Sequence, residues 1–380
     1  MRFPEFSGEW KKCIIQDYGE VITGNTPPTN NAEYYNNGSY LWASPADLGT
    51  GKKINDTKTK LSESGFKKTR IIPKGSILVT CIGSTIGKMG MAVETMSSNQ
   101  QINSIIVNEK SNNDFVYYAI SRAFPRYLSE VGVQAVPILS KSNFEKLPNY
   151  TTSIEEQDKI GYFLNLLDER IATQNKIIED LKKLKSAIIE MEYTHKTKGN
   201  THIGDFIEQT SKRNKDSAIQ NVLSVSNSQG FIQQCEQFEN RSVASDDISN
   251  YKIVERNCFA FNPARINVGS IARLTTFNRG IVSPMYICFR TKDNLFPEYL
   301  DYYFESKQFF TEIQKRLEGS VRQCLSYEGL CNIPLCIPTV EVQQQTGKRL
   351  STLVQEIKLE IDFLELLQKQ KKFLLHQMFI

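Results

Sequence analysis

Leu147-Pro148, Glu155-Glu156-Gln157 and Gly161 lead into a long helical pattern near the middle of the chain. Ile333-Pro334, Glu341-Val342-Gln343 and Gly347 lead into another near its end. The offset is 186 residues at each point (147 against 333, 157 against 343), about half of the 380-residue chain. The likeness continues upstream, where Ile86-Gly87 precedes Val268-Gly269 by 182 residues and Asp17-Tyr18 precedes Asp205-Phe206 by 188. A duplication on this scale means two domain-plus-helix units in one polypeptide, with approximate two-fold symmetry. A two-fold protein points to a two-part target, and duplex DNA is the commonest such target.

The two helical patterns run from about Ile154 to Tyr193 and from about Val340 to Phe379. In the first, Ile160, Leu164, Leu167, Ile171, Gln174, Ile178 and Leu181 follow alternating steps of four and three. In the second, Leu350, Val354, Ile357, Ile361, Leu364 and Gln368 do the same. That alternation is the coiled-coil signature. Neither stretch holds a proline, and each is long enough for a helix of roughly 60 Å. One such helix alone reads as an ordinary amphipathic surface helix; two at matching points of a repeat read as partners. The first helix leaves one domain and arrives at the next, and the second turns back, so the pair is expected to be antiparallel. Gln174 and Gln368 at the seam are expected to set its register.

The regions before the helices are rich in Gly, Asn, Ser and aromatics, with short apolar runs. Ser76–Thr80 and Cys258–Phe261 read as buried strands, and Asn103–Val107 and Met285–Phe289 as the next strand of each copy. A short helix follows in both, over Asp114–Ser121 and Pro297–Phe304. The expected fold is mixed α/β: two globular domains separated by a long antiparallel two-helix coiled coil, in a pseudo-two-fold repeat. The segments are residues 1–150, a first domain; 151–195, a spacer helix; 196–335, a second domain; and 336–380, a second spacer helix. Residues 194–201 read as a polar link.

Eight cysteines lack the pairing density of a disulfide framework. Cys324, Cys331 and Cys336 cluster, but without a CxxC or a nearby histidine, so reduced thiols are expected and a metal is not. No apolar run reaches the length that crosses a bilayer, and the opening residues lack a signal-peptide core, so the chain reads as cytoplasmic. Gly83-Ser84-Thr85-Ile86-Gly87-Lys88 has three residues between its glycines where a phosphate loop has four, which leaves a tight turn or a DNA-phosphate contact. Asn262-Pro263-Ala264-Arg265 lacks the second proline and the aromatic of the amino-methyltransferase motif. With only three histidines, no catalytic set stands out.

The net charge is only +4, but it is unevenly spread. From Lys52 to Lys88 nine basic residues stand against Asp56 and Glu63 alone. From Arg256 to Lys292 six stand against no acid. Concentrated positive charge at corresponding places in both repeats suits phosphate binding, and arginine and amide side chains can also read base edges. The candidate DNA contacts are Lys67, Lys68, Arg70 and Lys88 in the first domain, and Arg265, Asn267, Arg273 and Arg279 in the second.

Arg2-Phe3-Pro4-Glu5-Phe6 with Glu9-Trp10, then Ser98-Asn99-Gln100-Gln101-Ile102-Asn103, Asn262 to Gly269, and Leu374-Leu375-His376-Gln377-Met378-Phe379 resemble the specificity subunits of type I restriction-modification enzymes. So does the Pro–Glu–Gln approach to each long helix. The resemblance runs the length of the chain, in order, twice. It implies a non-catalytic subunit whose two target-recognition domains each read one half of a bipartite, asymmetric site in double-stranded DNA. The helices would serve as spacer and as docking surface for two methyltransferase subunits. Those subunits would bind S-adenosylmethionine and methylate adenine N6, and restriction motor subunits would join them. On this reading, a heptad added to both helices lengthens the unread gap and leaves both half-sequences unchanged. The second repeat departs from the first at Val342, which stands where the first has its second Glu, and at Pro338 before it. Two other readings stay open. A self-contained methyltransferase would need a cofactor loop in this chain, and a coiled-coil adaptor without DNA specificity would not need the basic stretches.

Overall fold

The computed structural model describes residues 2–130, 138–193, 201–227, 229–234, 247–319 and 323–379. Most of the polar link (194–200), with His195, lies outside them, as does Cys235. Two compact units partition the chain, Met1–Lys176 with Asp362–Ile380, and Ile177–Ile361. These bounds cut across the four segments read from the sequence, because each long helix contributes one part to each unit.

In the first unit, β1 (Lys11–Ile14) leads to β2 (Gly19–Thr23), β3 (Tyr40–Ala43), β4 (Lys53–Ile54), β5 (Thr59–Leu61), β6 (Ile77–Thr80), β7 (Met89–Ala92), β8 (Ser97–Ser98) and β9 (Ile102–Val107). Helix α1 (Asn113–Glu130), β10 (Pro148–Thr151) and the long helix α2 (Ile154–Tyr193) follow. The main sheet has the order β2-β9-β6-β7-β4 and is antiparallel except for the β7–β4 edge. Every residue of β6 is buried, as its unbroken Ile-Leu-Val run requires of a strand covered on both faces. Helix α1 runs past the expected end at Ser121, because Phe124 and Tyr127 continue its buried stripe, and the Tyr127 hydroxyl donates to the Pro148 carbonyl at 2.8 Å.

The second unit repeats this plan with β11 (Ile207–Thr210), β12 (Leu223–Ser226), β13 (Gly230–Gln233), β14 (Lys252–Glu255), β15 (Phe259–Phe261), β16 (Ile271–Arg273), β17 (Arg279–Val282) and β18 (Ile287–Thr291). Helix α3 (Pro297–Tyr303), further short helices and the long helix α4 (Val340–Met378), whose last part belongs to the first unit, follow in the chain. Its main sheet has the order β11-β18-β15-β16, all antiparallel. That is the first unit's β2-β9-β6-β7 strand for strand, so the repeat read from short motifs is a repeat of topology.

The repeated approach to each long helix is a clamp. Gln157 is buried; its amide oxygen accepts from the Asn112 backbone at 3.0 Å, and its NH2 donates to the Thr152 carbonyl at 2.8 Å. Gln343, equally buried, accepts from the Phe296 backbone at 2.8 Å and donates to the Pro338 carbonyl at 2.9 Å. Each glutamine thus ties the first turn of its long helix to the residues leading into α1 or α3. Four residues on, Gly161 and Gly347 face those same helix starts, where an added Cβ would lie 3.0 Å from Asp114 Cβ or 3.3 Å from Glu298 Cβ. The far ends match too. In the first unit Phe379, just past α4, packs on Phe115 with ring centroids 5.2 Å apart. In the second, Tyr193 at the end of α2 packs on Tyr299 at 4.9 Å.

Along α2 the stripe of Ile160, Leu164, Leu167, Gln174 and Ile178 is buried, with Ile171 and Leu181 half-buried. Along α4 Leu350 and Ile357 are buried and Ile361 and Leu364 half-buried, but Val354 and Gln368 are exposed. The inward positions are instead Leu353, half-buried, and Leu367 and Leu374, buried. The alternation therefore runs three-four rather than four-three from Leu350. The seven-residue line through Leu350, Ile357 and Leu364 serves either phase, and Glu360 on the true second line hides it. Within the first unit the two helices run antiparallel: Asp168 pairs with Lys371, and the Arg170 guanidinium lies 5.2 Å from the Phe363 ring centre.

Candidate nucleic-acid interface

The first unit presents its candidate cations on the segment after a short helix at Glu63–Phe66, whose N-terminus is capped by Ser62. Asn25, just past β2, pins that segment. Its amide oxygen accepts from the Arg70 backbone at 2.8 Å, and its NH2 donates to the Lys68 carbonyl at 2.9 Å. The Arg70 guanidinium is turned back onto the Thr23 carbonyl at 2.6 Å, and Lys67 pairs with Glu63 one helical turn away at 2.7 Å. Lys68 is exposed, and its ammonium has no partner among the described residues. Beside them Tyr40 stacks on the buried Phe66 ring, centroids 4.6 Å apart. Thr26 donates to the amide oxygen of exposed Gln100 at 2.5 Å, leaving the Gln100 nitrogen without a partner among the described residues. A pinned cation, an aromatic face and a free amide are the parts that contact phosphate, base plane and base edge.

Lys88 lies elsewhere, in the loop joining β6 to β7, with its stem against Gly49. The second unit carries Arg265 and Asn267 on the equivalent loop, joining β15 to β16. Both loops close on a glycine in the left-handed region, Gly87 at φ 91° and Gly269 at φ 90°. Arg265 is exposed and Asn267 half-buried. The Asn262 side chain serves its own turn here, accepting from the Ala264 backbone at 3.1 Å.

Arg273 departs from its expected role. Its side chain is only 10 % exposed, and its guanidinium donates to Asp301 at 3.1 Å, lies 3.5 Å from Glu298, and reaches Asn257 at 3.1 Å. It fastens β16 to α3 and is spent there. Burial raises the Asp301 carboxyl above the ordinary aspartate value even against the pull of Arg273. The first unit has a comparable buried cation in Lys52, 6 % exposed, paired with Asp114 at the start of α1 and bonded to Tyr118 and Asn165. Burial lowers its pKa, and Asp114 only partly restores it.

Arg279 opens β17 and is exposed. It shares an open cleft of about 770 Å³ with Lys212, Arg213 and Lys215, three cations the sequence reading missed. They lie outside the acid-free window from 256 to 292. They join it through β-bridge pairing of Arg213 with Lys252 and register pairing of β14 with β17. The available signal was positional, since Lys212 and Arg213 follow β11 as Gly24 and Asn25 follow β2, at the offset of 188 already visible in Asp17 and Asp205.

Residues 7–183 match the family described as "Type I restriction modification DNA specificity domain". That stretch, just under half of the chain, is similar to the DNA specificity domain of type I restriction-modification systems. The matched residues take in nearly the whole β2-to-α2 plan, and the second unit repeats its sheet. The HindI specificity subunit of Haemophilus influenzae is 29% identical over 185 residues, 46% of this chain and 39% of that one. The EcoR124I/EcoR124II specificity subunit of Escherichia coli is 28% identical over 192 residues, 48% of this chain and 46% of that one. The chain thus spans less than half the length of these two relatives. The MjaVIII specificity subunit of Methanocaldococcus jannaschii is 23% identical over 98% of this chain and 92% of its own. In fold the chain is similar to the S subunit of the type I restriction-modification system from M. genitalium, with TM-score 0.62, 16% identity, and coverage of 98% and 96%. A chain from the complex assembly of a type I R-M system gives TM-score 0.57 at 13% identity, covering 96% of each. Among the described residues no helix is long and apolar enough to cross a membrane.

Proposed function

We propose that this chain is the DNA-recognition subunit of a type I restriction-modification assembly and brings no catalytic group of its own. Its two units each read one half of a bipartite, asymmetric site in double-stranded DNA. One observation carries this reading: the same sheet plan occurs twice, and the same strand exit bears different side chains in the two copies. Asn25 with Lys68 and Gln100 stands in one, and Lys212 and Arg213 with Arg279 in the other. Two readers of common design and different chemistry suit a target of two unlike halves.

Two modification subunits would dock on the long helices, whose outer positions are unusually apolar. Tyr162, Leu166, Leu366 and Phe373 of the first unit, and Leu184, Met191 and Leu359 of the second, are exposed. Apolar and aromatic groups without a covering neighbour mark interaction surfaces. S-adenosylmethionine belongs with those partners. The one motif here that glances at amino-methyltransferases begins at Asn262, whose amide oxygen is engaged in its own turn. Restriction motor subunits would complete the assembly, in the cytoplasm.

The test is coexpression with the neighbouring modification subunit in a methylation-free host, followed by mapping of modified adenines. A single two-part motif with a fixed gap is the expected result. A stable copurified complex that methylates nothing would favour the adaptor reading instead.

A further inference from the structure

The loop that leaves β11 places Lys212, Arg213 and Lys215 around one open cleft, with Arg279 from the start of β17. Ser211, Asp216, Ala218, Ile219 and Ile253 complete its lining. The loop is built rather than loose. Asn214 is fully buried; its NH2 donates to the Ile219 carbonyl at 2.9 Å, its amide oxygen accepts from the Ile219 backbone at 3.1 Å, and its backbone N–H donates to the Tyr251 carbonyl at 3.0 Å. The Lys212 carbonyl accepts from the Ile253 backbone at 2.8 Å, and the Arg213 guanidinium donates to Asn250 at 2.9 Å. Against four cations the lining holds one carboxylate, Asp216, which accepts from the Ala218 backbone. Lys212, Lys215 and Arg279 are exposed and pair with no carboxylate among the described residues.

Cations gathered on a fixed backbone and left without carboxylate partners keep the protein charged at a cost in self-repulsion, which an incoming anion relieves. The cleft is too open and too polar to enclose a small apolar ligand. Its chemistry is that of a phosphate rail, and a rigid backbone lowers the ordering cost when the anion arrives. Resting on the DNA reading above, we propose that Lys212, Arg213, Lys215 and Arg279 grip the phosphodiester backbone of duplex DNA in the second unit. They set affinity and its salt dependence and leave sequence choice to other groups, the loop of Arg265 and Asn267 among them.

The test uses the full chain in complex with its modification subunit, unaltered or carrying Lys212→Gln, Lys215→Gln and Arg279→Gln together. Duplex affinity is measured against salt, and methylated adenines are mapped. The expected outcome is an unchanged two-part motif and a uniform loss of affinity for all duplexes. The log-affinity against log-salt slope should become shallower by roughly 0.9 for each phosphate no longer neutralised. The substituted side chains are exposed, so the thermal midpoint of the second unit should hold. Asp216→Asn, which removes the one carboxylate and no cation, should tighten binding. An unchanged slope and affinity in the triple variant overturns the proposal, and so does a change in either half of the motif, since that would make these residues base readers. Failure of the unaltered complex to bind or methylate any duplex would instead overturn the DNA reading itself, and the unaltered complex alone reveals it.

Discussion

Glu156 shows how one carboxylate distinguishes two repeats of the same design. Its side chain is 1 % exposed and takes both forks of the Arg2 guanidinium, at 2.7 and 2.6 Å, with Thr152 and Trp10 also donating to it. Burial pushes the Glu156 carboxyl up, but the hydrogen bonds from Arg2 and Thr152 outweigh it and leave the pKa below the ordinary glutamate value. A depressed folded-state pKa adds stability above the unfolded value, and that stability is lost as pH falls through the folded one. Glu156→Gln should therefore lower the unfolding midpoint of the first unit at neutral pH. The gap from the wild type should narrow as pH falls below the usual glutamate range, then vanish. A gap constant down to acid pH would show that the ion pair is not its source. The second repeat has exposed Val342 at this point, yet α4 starts at Val340 with the same first bond, the Thr339 carbonyl accepting from the Gln343 backbone at 3.0 Å as the Ser153 carbonyl accepts from Gln157. Arg273 makes the opposite point about charge. Arg273→Ala would strand Asp301 and should cost the second unit about 1–3 kcal/mol, read as a lower unfolding midpoint. A DNA-contacting arginine would leave the midpoint alone.

The elements explain what could be read from the sequence and what could not. Helices α2 and α4 were legible end to end because period, absence of proline and a repeated lead-in agree. The inner phase of α4 was not, since Glu360 breaks the apolar line that Leu353, Leu367 and Leu374 otherwise draw. Sheet order was legible only as buried runs, because register depends on partners tens of residues away. The same distance hid the fate of Arg273, whose carboxylates lie on α3. It hid Lys212 as well, which meets Arg279 only through strand pairing. The repeated glycines were visible, yet their unequal tightness was not. At Gly161 a Cβ would lie 2.7 Å from the Asn112 amide oxygen, which is itself held by the Phe115 backbone at 2.9 Å, and 3.1 Å from that backbone nitrogen. At Gly347 the nearest atom is Glu298 Cβ at 3.3 Å. Gly161→Ala should lower stability by about 1–3 kcal/mol through overpacking. Gly347→Ala should be neutral or gain up to about 1 kcal/mol from helix propensity. Equal effects at the two sites in chemical unfolding would mean that the clamp is looser than its geometry.

The whole molecule is two copies of one plan that have kept the scaffold and changed the surface. Gln157 and Gln343, Gly161 and Gly347, and Phe379 and Tyr193 hold equivalent places, whereas Asn25 and Arg213 do not share chemistry. Scaffold positions answer to packing and backbone hydrogen bonds, which tolerate little change. Surface positions answer to a ligand, and two unlike half-sites ask for two unlike surfaces. If each unit reads alone, the damage from a base-reading substitution should stay within one half of the methylation motif. Gln100→Ala, which removes a free amide from the first unit, should relax or move specificity in one half-sequence only. Asn267→Ala in the second unit should do the same to the other half, and the double variant should show both changes without a third. A hydrogen-bonded base edge is worth about 1–3 kcal/mol of discrimination, enough for its removal to appear as new methylated sites that differ at one position. Methylome mapping of the three variants decides it: changes crossing from one half to the other would mean that the copies do not read independently.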